Sequence, residues 1–177
     1  MRKLLLGLCS LFMISCSNNK INQYANNTPK LDLQGFLNGK ISGVGIVEDY
    51  SANITRRFDF FGVASWNGNN GQFNERIIYS DGKEESRIWT ITRLSESSYE
   101  ATTPDVIGKA TISVAGNAMN WKYMMNIKVD DSVYKINFDD WMYLMPNGEL
   151  INRNYFKKFG FTVGELTLLM KKESTAL

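Results

Sequence analysis

Arg57-Phe58-Asp59-Phe60-Phe61-Gly62-Val63-Ala64-Ser65-Trp66 decides the fold. Successive side chains of a β-strand point to opposite faces. One face here carries Phe58, Phe60, Gly62, Ala64 and Trp66, and the other mixes Arg57, Asp59, Phe61, Val63 and Ser65. A helix would set Phe58 and Phe60 about 200° apart, so the segment reads as a half-buried strand. The same alternation recurs at 41–50, 72–80, 85–94, 97–103, 109–115, 120–129, 133–144 and 161–171, which makes nine strands a minimum. Asp81-Gly82, Gly116-Asn117, Asp130-Asp131 and Asn147-Gly148 punctuate them with residues that tolerate a left-handed backbone. The one helical candidate, 29–37, places Leu31, Leu33, Phe36 and Leu37 on a loose face limited by Gly35 and Gly39, enough for a single turn plugging one end.

So many sequential strands with short connections leave a closed barrel or a sandwich. Strands longer than the usual five or six residues suit tilted barrel staves, and the Cys-Trp-Cys hallmark of immunoglobulin sandwiches cannot exist here. The expectation is an all-β, antiparallel up-and-down barrel of about eight to ten strands with at most one short helix. Such a barrel has room for one small ligand.

Composition narrows the chemistry. The chain has 177 residues, 44% apolar and 21% charged, with no histidine, and its 2 cysteines are Cys9 and Cys16. Ser-His-Asp and Cys-His catalysis, and imidazole or thiolate metal sites, are therefore excluded from the body of the protein. No catalytic residue, metal or cofactor is assigned. A mature part of about 150 residues buries roughly 70% of its unfolded surface and needs no disulfide to hold together.

Residues 1–15 read as an export signal: Arg2 and Lys3 precede an apolar run from 4 to 14 that is too short to remain as a membrane span. Met13-Ile14-Ser15-Cys16 resembles the lipobox of bacterial lipoproteins, in which Cys16 becomes the acylated first residue. The alternative is an ordinary signal peptide cut elsewhere. The stretch 16–28 is rich in Asn and Gln and reads as a flexible tether, with the barrel domain at 29–177. Ser17 after Cys16, by analogy with Gram-negative lipoproteins, points to the outer membrane, with the domain facing the periplasm. The membrane is thus the expected partner through Cys16. Without Arg2 and Lys3 the basic residues equal the 18 acidic ones, which leaves no electrostatic footprint for nucleic acid.

Tyr79-Ser80-Asp81-Gly82 suits a type I turn followed by a left-handed Gly82 in a bulge, setting Tyr79 opposite Lys83. Phe73 then faces Trp89 and Glu75 faces Arg87, all four on one sheet face. A two-residue type I′ turn would instead place Glu75 opposite Ile88. A Glu75–Arg87 pair beside two aromatics either orients a ligand head group from the cavity wall or only fixes the register.

Asp139 and Asp140 are neighbours on a strand and point to opposite faces, so they cannot act together on one substrate. One of them is expected to be buried with Arg87 or Arg153. Trp141, Tyr143 and Met145 share one face, with Met142 and Leu144 on the other; an element apolar on both sides has a plug or partner outside the wall.

Glu75-x-x-x-Tyr79-x-Asp81-Gly82, Arg87-x-Trp89, Asp105-Val106-Ile107-Gly108, Gly116-Asn117-Ala118-x-x-Trp121-x-Tyr123, Phe138-Asp139-Asp140-Trp141-Met142-Tyr143 and Lys158-Phe159-Gly160-Phe161 together resemble the bacterial lipoprotein family designated domain of unknown function 3833. The resemblance spans 31–171 and implies a barrel of the lipocalin type, although the Gly-x-Trp that opens true lipocalins is absent. Three functions remain. The first is a lipid-anchored periplasmic barrel that binds or shuttles a fatty acid or other lipid, with Glu75, Arg87, Trp89, Trp121, Asp140 and Trp141 as lining or mouth residues. The second is a packed structural or assembly lipoprotein that binds a protein partner. The third is a carboxylate-based enzyme acting on lipid, which needs an acid of raised pKa inside a pocket.

Overall fold

The computed structural model describes residues 20–129 and 131–173; the signal segment 1–15 and Cys16 lie outside them. Ten strands follow one another: β1 (Gly39–Asp49), β2 (Ile54–Asn67), β3 (Asn70–Tyr79), β4 (Glu84–Arg93), β5 (Ser98–Thr102), β6 (Ala110–Ala115), β7 (Ala118–Val129), β8 (Ser132–Leu144), β9 (Leu150–Lys158) and β10 (Phe161–Lys172). Each pairs antiparallel with the next. β1 closes on β10 in an unbroken register from Ile41↔Lys172 to Asp49↔Gly164, so no edge strand is left to recruit another chain. The expected up-and-down barrel is the observed fold.

Alternation sets what faces inward. On β2 the aromatic set points in, with Phe58, Phe60 and Ala64 buried while Arg57, Asp59 and Phe61 are exposed. The same parity carries Phe73 on β3, Trp89 and Ile91 on β4, Met119, Trp121 and Met125 on β7, and Leu168 and Met170 on β10 into the core.

One strand escaped the sequence reading. β9 alternates Leu150, Asn152, Asn154 and Phe156 inward. Two of its four inward residues are amides, so no apolar period announces it.

One end of the barrel is shut. The expected single helical turn is α1 (Leu33–Phe36), and it places Leu33, Phe36 and Leu37 in the core below the ends of β2 and β3. Polar bonds hold it there. The Trp66 indole N–H donates to the Leu37 carbonyl, Gln34 Nε2 to the Gly68 carbonyl at 3.0 Å, and Lys172 Nζ to the Gly35 carbonyl at 2.6 Å.

The tether reading needs correction over part of its length. Lys20–Tyr24 forms a 3-10 turn whose Ile21 is buried with Trp141 and Ala118 on the outer wall. Tyr24 lies 6.0 Å from the Trp141 ring and 5.5 Å from that of Tyr143. This segment is the outside cover that a strand apolar on both faces requires. It stays in place because Leu31 N–H donates to the Gly116 carbonyl at 2.7 Å and Gly116 (φ 55°) lets the Tyr24 backbone approach. A Cβ at 116 would stand 1.7 Å from the Tyr24 carbonyl oxygen. Gly116→Ala is therefore expected to cost about 1–3 kcal/mol and to expose 20–30 to protease at temperatures where the barrel stays folded. Urea unfolding and limited proteolysis check both.

All ten strands and both packed segments lie within 20–173. A chain of about 150 residues that closes its own sheet has the core it needs to fold alone.

Candidate functional site

The Asp81 hairpin forms in the register that its turn chemistry implied. Tyr79 N–H donates to the Lys83 carbonyl at 2.9 Å, Gly82 is left-handed (φ 82°), and the partners are Phe73↔Trp89 and Glu75↔Arg87. Glu75 Oε1 accepts from Arg87 Nη1 at 2.9 Å. The pair lies on the inward face and lines an interior cavity of about 460 Å³.

That cavity runs from α1 at the closed end to a mouth between the opposite strand ends, where Val47, Arg56, Tyr79, Lys128 and Val163 stand. Its deep end is apolar, with Leu33, Phe36, Met119, Met142 and Leu150. One wall is aromatic. Trp89 packs 4.8 Å from Trp121 and 5.3 Å from Tyr123, Tyr123 stacks on Phe138 at 4.8 Å and 8°, and Phe138 meets Phe156 edge-on at 5.1 Å. Offset and edge contacts of this kind make a stiff wall. The volume falls in the roughly 300–1,000 Å³ range of small-molecule sites.

Polar groups meet at mid-depth. Asp140 is buried and its Oδ1 accepts from Asn152 Nδ2, which also donates to the Trp141 carbonyl at 3.1 Å. Asn154 Nδ2 donates to Tyr123 Oη at 3.0 Å. Burial pushes the Asp140 carboxyl up to about 8, against the Asn152 bond and with help from the negative charge of Glu75. Burial likewise raises Glu75, with Arg87 pulling the other way. The Tyr123 phenol rises well above its ordinary value, first through burial and then through Asp140 and Glu75. Near neutral pH Asp140 therefore keeps its proton.

Three buried polar atoms around this cluster, Arg87 Nε, Trp121 Nε1 and Asn154 Oδ1, have no hydrogen-bond partner among the described residues. Each orphaned group costs about 1–3 kcal/mol. Arg87 Nε has its nearest carboxylate oxygen, Asp105 Oδ2, at 4.0 Å, and all three residues belong to the wall of an apolar space that opens at one end, an arrangement able to receive the polar end of an amphiphile once these groups turn toward it.

Of the residues singled out from sequence, Glu75, Arg87, Trp89, Trp121 and Asp140 all line the cavity. Trp141 does not. It follows Asp140 on the same strand, so when Asp140 points in Trp141 must point out, where Ile21 and Tyr24 cover it. The arginine expected beside the buried aspartate is also absent: Asp140 meets Asn152. Asp139 points outward, its Oδ2 2.5 Å from Lys157 Nζ and its Oδ1 accepting from Asn120 at 2.9 Å. Burial pushes Asp139 up, but Lys157 and Asn120 together bring it below the usual carboxylate range. Asn152, Asn154 and Tyr123 were missed. Tyr123 shares Trp121's parity on β7, a signal that could have found it, whereas the two asparagines lie on the strand that sequence did not reveal.

Among the described residues no three His, Cys, Asp or Glu side chains gather as a metal site, and no helix is long and apolar enough to cross a membrane. No curated protein matches the chain. The model of one family, described as "protein of unknown function (DUF3833)", matches residues 10–172, and the chain belongs to that family.

Proposed function

We propose that this barrel binds a lipid in its interior, with the acyl chain along the aromatic wall and a neutral polar group at the mid-depth cluster. Acylation of Cys16 would hold the domain at the cell envelope, at the outer membrane and facing the periplasm. The observation that carries the ligand reading is the 460 Å³ cavity, apolar at depth, whose wall includes Arg87, Trp121 and Asn154, three residues that each keep a buried polar atom without a hydrogen bond. Removing an acyl chain from water is worth about 0.8 kcal/mol per CH₂, and a head group that pairs with the orphans adds to this. Charge selects the head group. Arg87 already meets two carboxylates, Glu75 at 2.9 Å and Asp105 at 4.0 Å, so no surplus positive charge awaits a free carboxylate. A hydroxyl, ester or amide fits better than a fatty-acid anion.

Displacement of N-phenyl-1-naphthylamine tests this. At pH 8 a monoacylglycerol is expected to displace the dye at a lower concentration than the fatty acid of equal chain length. Leu166 also lines the cavity, and Leu166→Trp, which adds an indole there, should weaken dye binding at least tenfold. Absence of dye binding, or an unaffected Leu166→Trp, would contradict the proposal.

A second reading rests on Asp140 itself. A carboxyl held at about 8 inside a pocket is a proton donor at neutral pH, as a carboxylate-based enzyme acting on lipid would need. Turnover of a bound ester that stops in Asp140→Asn while binding persists would favour catalysis over carriage.

A further inference from the structure

The open end of the barrel carries large apolar side chains that are mostly exposed. Around the wall β2, β1, β10, β9, β8 and β7 are consecutive neighbours, so the β1–β2, β9–β10 and β7–β8 hairpin tips stand side by side at the mouth. They present Tyr50 (82% exposed), Phe159 (87%) and Phe161 (76%), together with Ile54 and Val133. The β3–β4 tip on the other side of the β1–β2 tip, Ser80-Asp81-Gly82-Lys83, has no large apolar residue.

Phe159 is the telling residue. It and Gly160 form the two-residue loop between paired Lys158 and Phe161, both with positive φ (52° and 85°). A loop with positive φ at both central residues favours Asn, Asp or Gly at its first position, and a bulky aromatic there is strained. With its ring 87% exposed, Phe159 gains no core packing in return. Strain without a folding benefit points to contact with something outside the chain.

Cations flank these rings. Lys158 Nζ lies 4.0 Å from the Tyr134 ring centroid and 5.5 Å from that of Phe159, and on the neighbouring tip Lys128 and Lys135 stand on either side of Asp131. Separate rings projecting from two tips, with Val133 on the third and lysines beside them, suit insertion into the headgroup and upper acyl layer of a membrane, where aromatic rings and lysine stems both settle. A protein contact would instead need a continuous complementary surface.

We propose that this rim docks on the surface of a lipid bilayer, dipping the side of the mouth that bears Phe159 and Phe161. Val163, part of the same hairpin, also lines the cavity, so a docked rim joins the bilayer to the interior. The proposal rests on the lipid-binding reading for its purpose, while the docking itself can be tested separately.

The test uses the chain from Lys20 to Leu177, which holds the whole barrel, with vesicles of phosphatidylethanolamine and phosphatidylglycerol. Phe159→Ser with Phe161→Ser is expected to lower the vesicle-bound fraction at least tenfold and to slow transfer of N-phenyl-1-naphthylamine from vesicles similarly. Dye binding without vesicles should be unchanged, which also shows that the variant is folded. Phe159→Asn should raise the melting temperature and yet weaken vesicle binding, an opposition that a purely structural role would not produce. Phe159→Trp should keep binding and shift its emission to the blue on vesicles. A parent chain that ignores vesicles, as it would if the rim met a protein, or a double variant that binds them equally well, overturns the proposal. Vesicle binding that depends on Phe159 and Phe161 in a chain that takes up no dye supports the docking and overturns the interior-binding reading instead.

Discussion

Asp140→Asn is expected to flatten the fall of stability with rising pH. In the folded chain burial holds the Asp140 carboxyl at about 8, against an ordinary value of 3.8. Between these values the unfolded chain has released the proton and the folded chain has kept it. The folded state then binds more protons, so stability falls as pH rises. It is fully present below about pH 4, lost progressively, and at its minimum above pH 8. The whole interval corresponds to a contribution on the order of 5 kcal/mol. Glu75, also raised by burial, adds a slope of the same sign. Asparagine keeps the shape and a carbonyl oxygen for Asn152 Nδ2, but it does not ionise. Urea unfolding at pH 4 should show little difference between the variant and the parent, and at pH 8 a much more stable variant. Parallel pH curves would mean that Asp140 is ionised in the folded chain.

Arg87→Met is expected to be strongly destabilising, by about 3–5 kcal/mol, because it leaves Glu75 enclosed without its countercharge. The pair itself is not the source of the loss. Removing both charges in Arg87→Met with Glu75→Gln should recover most of the stability, since an ion pair taken out of water contributes little net. The single variant should also unfold more steeply with rising pH, as Glu75 loses the guanidinium that favours its charged form. A double-mutant cycle by urea denaturation measures the coupling. Equal losses in the single and double variants would place the worth of Arg87 in its packing.

The two residues differ in how far sequence exposed them. Glu75 and Arg87 were legible because Asp81-Gly82 fixes a turn, the turn fixes a register, and a one-residue slip would turn every side chain to the other face. Asp140 was legible as a buried carboxyl, but its partner was not. Asn152 comes from β9, where inward amides at 152 and 154 interrupt the alternation between Leu150 and Phe156. A polar site built on a strand erases the pattern by which strands are found. Trp141 shows the reverse error: hydrophobicity suggested the cavity, although parity with Asp140 already sent it outside. The packed turn at Lys20–Tyr24 was hidden because Ile21 and Tyr24 sit among asparagines. Only the doubly apolar face around Trp141 hinted that something must cover it. The barrel needed no such detail, since the alternation at 57–66 recurs around the whole wall.

Native mass spectrometry with lipid extraction, on the chain from Lys20 to Leu177 secreted to and purified from a bacterial periplasm, tests interior binding most directly. The expected result is one neutral lipid per chain at near-stoichiometric occupancy, absent when Leu166→Trp fills the cavity. A clean apo mass, together with no uptake of added monoacylglycerol or fatty acid, would contradict it.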